Sequence, residues 1–531
     1  METKNESSGS KIDWLMKKVN YLPTYKGLIT FTLVWEFLII LFLSTFSEPI
    51  ELILGQPLLP IVLDSDPVEK AGRLIMVYHS IAVPFLAVCT FFGLEIMTVR
   101  EKFKSRIKWP LFIGSILASA SGMAFAYIFP DGWILHGLYL VGLSLCFYAG
   151  IMLLLGVFPT KSFPERKDGQ SILLGQSAMT LVAICILLSV ILGGAIGSFF
   201  GNGMIPLLAE YFLRPYDHAT YAEILVDAVK AHLHIMLALI DVIILLIVYR
   251  YTVPDQKGKW YRISMILVMP GMLIMSIGSW AVTFNSVISF PFDMHYLIYV
   301  GSAILVTVGL ILALTGWNKA SKAVLGDNYE SASWLTRSKA VITGAPVKFA
   351  LYFQFIWVNF VMTFGGIFLA LSLRGPTDPE GASPLVKVFS SILSFRDGPL
   401  AVETTVARGH WHVLATLSAV ILLLLLIDMV DIQGAARKVM AWLLFAGSVI
   451  AFGFALLYLY LPHFDQVWAN AADQLAMYPD GVKEYWATNA FWLPLVLDFG
   501  ILLITVALVI FCFHQLMEII KGRKDVKEWP E

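Results

Sequence analysis

The sequence predicts an all-α membrane protein of about twelve transmembrane helices, on three observations. The chain has 531 residues, of which 58% are hydrophobic and only 14% charged, and its mean hydropathy is +0.76. These values are far from the balance of a water-soluble domain. The apolar residues gather into runs of about 20, the length that crosses a bilayer as a helix. The loops between the runs alternate between basic and weakly charged, as loops on opposite sides of a membrane do.

Twelve apolar runs are long enough to be membrane spans. They cover residues 27–46, 72–98, 109–129, 133–157, 171–200, 229–250, 262–285, 294–316, 347–372, 410–430, 438–461 and 491–515. No proline- or serine-rich linker divides them, so we expect a single integral membrane domain over residues 27–516. It would be flanked by an N-terminal tail of residues 1–26 and a C-terminal tail of residues 517–531.

Basic residues predict which side each loop occupies. Lysine and arginine cluster in alternate loops, at 100–108, 161–167, 250–262, 319–348 and 437–438. By the positive-inside rule these loops are cytoplasmic, and both tails belong to the same side, in agreement with an even number of spans. We therefore expect a multi-pass protein of the plasma (inner) membrane with both termini in the cytoplasm. The lipid bilayer is its environment, and no basic tract suits a nucleic-acid partner.

Histidine recurs in three similar and widely spaced segments. They read VEKAGRLIMVYHSIAVPFLAV around His79, VDAVKAHLHIMLALIDVIILL around His232 and His234, and VETTVARGHWHVLATLSAVIL around His410 and His412. Each begins with valine and an acid and ends in an apolar run. A ligand-capable side chain is costly in a spanning helix, so it usually faces a cofactor, a pathway or a partner. The recurrence predicts one shared site in the bundle core and four-helix units repeated three times.

The HxH spacing has a geometric meaning. Neutral imidazole is a strong ligand for iron and copper. Residues i and i+2 of a helix point about 200° apart, so His410 and His412 can serve two cofactors on opposite flanks of one helix rather than a single ion. The same argument applies to His232 and His234.

Acidic residues inside the apolar runs are a second class of candidate. Asp241 lies seven residues after His234 and so on roughly the same helix face. It could relay protons toward a metal site or form a hydrogen bond with a neighbouring helix. Glu36 and Asp498 lie deep in the first and last runs, and could pair or mark a proton path.

In the position of its histidine motifs, the chain resembles subunit I of the haem–copper oxidase superfamily, which includes oxygen reductases and nitric oxide reductases. That family has twelve spans in a pseudo-threefold arrangement, a haem ligand on the second helix and an HxH on the tenth. The resemblance implies that His79 and His412 are the axial ligands of a low-spin haem. It implies that His410 is the proximal ligand of a second, catalytic haem. It also implies that His232 or His234 binds copper or non-haem iron.

At the end of the seventh helix the chain departs from the family. The family has adjacent histidines there for the second metal, whereas this chain reads GSWAVTFNSV. The nearest third imidazole is that of His295. Haem propionates need cationic partners. Arg73, Lys230 and Arg408 each lie shortly before the histidines of one segment, and they would either serve that role or snorkel to the membrane surface.

The function that the resemblance implies is that of a respiratory oxidoreductase with one or two haems and copper or non-haem iron. The haems would be b-type, because the four cysteines form no CxxCH motif for covalent attachment. A cytochrome or quinol would donate electrons, and further membrane or periplasmic subunits would be partners. Two other functions remain open. One is a membrane cytochrome that relays electrons between quinol and a partner complex without terminal catalysis. The other is a transporter of protons or metal ions.

Overall fold

The computed structural model describes residues 24–45, 67–128, 132–160, 163, 170–201, 218–282, 294–362, 416–430, 432, 434–464 and 492–521. The regular elements in these residues are helices. In chain order they are α1 (Tyr25–Thr45), α2 (Pro67–Ile96), α3 (Glu101–Tyr127), α4 (Trp133–Val157), α5 (Gln170–Gly201), α6 (His218–Thr252), α7 (Lys259–Val282), α8 (His295–Leu325), α9 (Trp334–Gly344), α10 (Pro346–Met362), α11 (Thr416–Met429), α12 (Gly434–Phe464) and α13 (Trp492–Lys521).

The helices have the length and composition of membrane spans. Among the described residues, nine are long and apolar enough to cross a bilayer, and the count is ten if the bent pair α9 and α10 forms one span. The prediction of an all-helical, multi-pass membrane protein is therefore confirmed. Each of the twelve predicted runs overlaps a helix, but α11 is shorter than a span in the described residues, and α9 has no counterpart among the runs. The count of twelve spans stays a prediction.

The break between α9 and α10 has a local cause. The axes of the two helices differ in direction by 117°. Pro346 begins α10, where its missing N–H costs nothing, and it disfavours a helical conformation at Ala345. At the other end of α9, the side chain of Ser333 accepts a hydrogen bond from the amide of Thr336 at 3.2 Å and so caps the helix.

The chain forms two compact units. The first contains α1 to α6, both ends of α7 and the last turns of α13. The second contains the middle of α7, nearly all of α8, helices α9 to α12 and most of α13. The histidine segments of α2 and α6 both belong to the first unit.

In the first unit, α3 and α4 cross with their backbones in contact. A Cβ added to Gly142 would lie 2.5 Å from the amide nitrogen of Ala118, and one added to Gly114 would lie 2.7 Å from the carbonyl oxygen of Gly142. No side chain fits at these distances. Membrane helices approach closely through small residues of this kind, because van der Waals packing rather than the hydrophobic effect holds them together in lipid.

The same crossing recurs in two helix pairs of the second unit, α7 with α8 and α12 with α13. A Cβ added to Gly301 of α8 would lie 2.5 Å from the backbone nitrogen of Met275 on α7. A Cβ added to Gly500 of α13 would lie at the same distance from the backbone nitrogen of Ala451 on α12. A further glycine precedes each contacted nitrogen by four residues, as Gly114 precedes Ala118. These glycines are Gly271 and Gly447.

The three crossings follow the three histidine segments at matched spacing. Gly114 lies 35 residues after His79, Gly271 lies 37 after His234, and Gly447 lies 35 after His412. The repeat predicted from the histidine segments therefore extends to the pair of helices that follows each segment.

The crossing of α3 and α4 gives a prediction about stability. We expect Gly142→Ala to lower the thermal midpoint of the purified protein in detergent, because the new methyl group must push α3 away, at a cost of about 1–3 kcal/mol. Gly137→Ala on the same helix is the matched control, since nothing lies within 4 Å of its Cβ position. At position 137, alanine should either leave the stability of the helix unchanged or raise it by up to about 1 kcal/mol. Equal midpoints for the two variants would contradict the close crossing.

Candidate functional site

Two of the predicted histidines lie side by side in the first unit. The imidazole rings of His79 on α2 and His232 on α6 have centroids 6.3 Å apart and planes inclined by 27°. Aromatic side chains flank the pair: Tyr139 of α4 lies 6.1 Å from His79, and Trp280 of α7 lies 6.4 Å from His232. Since His79 and His232 are far apart in sequence, helix packing creates this imidazole pair.

The hydrogen bond of His79 determines which ring nitrogen donates. Its Nδ1 lies 2.8 Å from the carbonyl oxygen of Ile75, one turn earlier on α2. A carbonyl can only accept, so Nδ1 carries a hydrogen and donates, and when the ring is neutral its lone pair is on Nε2. Metal-binding histidines are typically oriented by such a second bond, which also raises the basicity of the ligating nitrogen. His79 therefore has the form of a ligand through Nε2.

The surroundings of His232 differ in kind. Its Nδ1 is buried without a hydrogen bond of standard geometry among the described residues, and the backbone of Ser189 on α5 interacts with the ring. Helix α5 meets the ring at Gly193, where an added Cβ would lie 2.3 Å from Cε1 and 2.6 Å from Nδ1. A buried nitrogen without a well-formed hydrogen bond needs an explanation, and a bound ion or ligand is one. Gly193 provides the space that the ring occupies.

A hydrogen-bond chain holds α1, α2 and α3 together next to His79. The indole Nε1 of Trp35 donates to the hydroxyl of Ser119 at 3.1 Å, and that hydroxyl donates to the carbonyl oxygen of Ser80 at 2.7 Å. Ser80 follows His79 directly and is itself buried. The backbone that carries the imidazole is therefore fixed on two neighbouring helices.

The structure separates the remaining predicted residues of the first unit. Of the HxH pair on α6, it is His232 that lies against His79, and His234 is directed about 200° away around the helix. Asp241 lies nine residues after His232, about 13 Å further along α6. Arg73 is buried, and its Nη1 donates to the carbonyl oxygen of Ala126 at 3.4 Å, in the last turn of α3 where carbonyls lack helical partners.

Several predicted ligands lie outside the described residues. These are His410, His412 and Arg408. For His295 in α8 and Lys230 in α6, the backbone is described but the side chain is not. Their roles stay predictions. In the part of the chain that the structure describes, no group of three or more histidine, cysteine, aspartate or glutamate side chains could hold a metal ion.

Sequence reasoning missed Gly193, Tyr139 and Trp280. Gly193 and Gly194 stand together in the apolar run ILGGAIG, and nothing in that run distinguishes the glycine that contacts His232 from its neighbour. Tyr139 and Trp280 are aromatic residues among many. Only the packing of α4, α5 and α7 around the imidazole pair reveals all three.

The imidazoles of His79 and His232 are suitable ligands for a metal ion or a haem iron. The pair offers one imidazole whose Nδ1 donates to the Ile75 carbonyl and a second whose buried Nδ1 lacks a well-formed hydrogen bond, and neutral imidazole binds iron, copper and zinc. Fold and site together define a multi-pass helical membrane protein with a half-buried imidazole pair. Comparison of the chain with protein-family models and with curated proteins gives no match.

Proposed function

We propose that the protein is a membrane-bound, haem-containing respiratory oxidoreductase whose scaffold is that of subunit I of the haem–copper oxidases. The observation that carries this proposal is the imidazole pair of His79 and His232 inside the helical bundle. Intramembrane ligand side chains are expensive and usually functional. The glycine crossing that follows each histidine segment supports the proposal further, since a pseudo-threefold bundle of twelve spans would contain such a repeat.

In this proposal His79 and His412 would hold one haem, with Nε2 of His79 as the ligating atom, and His410 would hold a second haem. His232 would hold copper or non-haem iron. Haem iron supplies one-electron transfer, with its potential set by ligands, hydrogen bonds and burial. The bond from His79 to the Ile75 carbonyl keeps the imidazole oriented and electron-rich.

The neighbouring side chains have supporting roles. Tyr139 and Trp280 keep water from the imidazole pair and lower the local polarity, which favours the less charged state of a bound metal. Asp241, on the continuation of α6, is the candidate for moving protons toward the pair. Electrons would come from a cytochrome or a quinol, delivered through partner subunits or directly from the membrane.

The experiment that tests the proposal is a pyridine haemochrome assay with metal analysis on the purified protein. Two haems together with copper or non-haem iron would support the reductase. Haem without another metal would favour a cytochrome that only relays electrons. A folded protein without haem would contradict the proposal and favour a transporter of protons or metal ions.

Carbon monoxide gives a second expected outcome. In the proposal a single histidine, His410, would hold the second haem, so we expect carbon monoxide to shift the absorption spectrum of the reduced protein. The haem that His79 and His412 would hold together should not respond. If the reduced haems are insensitive to carbon monoxide, no iron has an open position, and terminal reduction of oxygen or nitric oxide is excluded.

A further inference from the structure

Helix α1 turns a polar face toward the protein. Phe31 and Leu38 are 41% and 51% exposed on one side of the helix, whereas Thr30, Thr32 and Glu36 are buried, with Glu36 only 6% exposed. Thr32 and Glu36 are one turn apart and so share a helix face. A carboxyl group is thus enclosed in the helical bundle rather than directed to the membrane surface.

Three buried polar atoms of α1 have no hydrogen-bond partners among the described residues. Among the described residues, none is found for Oγ1 of Thr30, for Oγ1 of Thr32 or for Oε2 of Glu36. Threonines in other helices donate to the carbonyl one turn earlier, as Thr90 does to Leu86 at 2.9 Å. Three unpartnered polar groups within two turns of one helix therefore differ from the pattern of the rest of the chain.

The charged groups of the neighbouring helices lie elsewhere. Helix α1 packs against α2 and α3. Glu95 of α2 interacts with Lys104 of α3 and with Lys26 at the basic end of α1, and Lys108 of α3 lies over the ring of Tyr25, 5.7 Å from its centroid. At the other end of α2 are Arg73 and His79. Within the described residues, no ionised side chain acts on Glu36.

An ionised carboxylate in these surroundings would lack both a counter-charge and a hydrogen-bond donor. Burying a charge without a partner is far more costly than burying a neutral acid, so a carboxyl group in such a place takes up a proton. An ionisable residue inside a membrane bundle is by default a functional group, most often in proton transfer.

We propose that Glu36 is a proton-binding site inside the bundle, loaded from the basic end of α1 through the hydroxyl of Thr32 on the same helix face. Four residues, or about 6 Å of helix, separate Thr32 from Glu36. The hydroxyl can accept one proton and pass on its own, so the threonine is unchanged after a transfer. The proton leaves water at the basic end and forms the O–H bond of the Glu36 carboxyl. This site does not depend on bound haem.

Infrared spectroscopy of the purified protein tests whether Glu36 is protonated. We expect a carbonyl stretching band of a neutral carboxylic acid at neutral pH, absent in Glu36→Gln and shifted in Glu36→Asp, which keeps the acid should the glutamine variant fail to fold. Glu95→Gln removes the acid beside Lys26 and should leave the band unchanged. A band that survives in Glu36→Gln would overturn the proposal. So would a band that disappears in excess sodium chloride, because Glu36 would then bind a cation instead.

Exchange in heavy water tests the path. After transfer to D₂O the same band shifts as the proton is replaced, and its rate of change reports access to Glu36. Thr32→Val keeps the shape of the side chain and should slow the exchange about tenfold, the rate equivalent of one hydrogen bond of about 1.4 kcal/mol. Thr90→Val, where the hydroxyl bonds to its own helix, is the matched control. Equal exchange rates in the two variants would exclude Thr32 from the path.

Discussion

Replacing His79 with alanine should abolish the reduced-minus-oxidised spectrum of the low-spin haem. The imidazole is the only ligand that α2 offers in the proposal, and its bond to the Ile75 carbonyl holds it in place. Without it, α2 would no longer hold the haem that the proposal places there. The measurement is the difference spectrum of the purified variant, together with its haem content per chain.

His136→Ala is the control for this prediction. The ring of His136, near the start of α4, lies 5.5 Å from that of Phe125 and stands apart from the imidazole pair. Its removal should leave the spectrum of the wild type. A normal difference spectrum in the His79 variant, or equal losses in both variants, would remove His79 from the haem site.

Gly193→Ala should displace the ring of His232 and weaken binding of the non-haem metal. The new methyl group would lie 2.3 Å from Cε1 of that ring. The side chain can turn away, so we expect the protein to fold with a thermal midpoint close to that of the wild type. Loss of a group that orients a metal ligand lowers affinity about 10- to 100-fold. The measurement is the content of copper or iron per chain after dialysis against a weak chelator.

Gly194→Ala is a closely matched control for Gly193→Ala. It makes the same chemical change one residue later on α5, where nothing lies within 4 Å of the Cβ position. Both variants gain the same helix propensity, so a general effect on α5 would appear in both. Unchanged metal content in the Gly193 variant would show that His232 is not a ligand.

Hydropathy predicted most of the helices because a span in lipid must satisfy its backbone internally and present apolar side chains. It did not predict α9, because the sequence WLTRSKAVITG mixes charged and apolar residues and its 11 residues are too few to cross a bilayer. Hydropathy also missed the start of α6. The helix begins at His218 rather than near residue 229, because its first turns are polar and do not belong to the apolar run.

The histidine repeat predicted that α2 and α6 meet, which the structure shows, but it could not predict which faces they present. In HxH both flanks of α6 carry an imidazole, so the choice between His232 and His234 depends on how α5 and α2 pack against it. Arg73 shows the same limit. Its position before His79 suggested a propionate partner, whereas one of its bonds in the structure goes to the end of α3.

The 117° turn between α9 and α10 has a consequence for how the chain sits in lipid. Where α10 crosses the bilayer close to its normal, a short helix that meets it at this angle runs close to the plane of the bilayer. Trp334 and Leu335 of α9 are 75% and 72% exposed, and Arg337 and Lys339 follow them. Such a helix lies at the level of the headgroups, with its apolar side chains among the first acyl carbons and its cations near the phosphates. It would fix the depth of α10 in the bilayer, and anionic lipids would strengthen that anchorage.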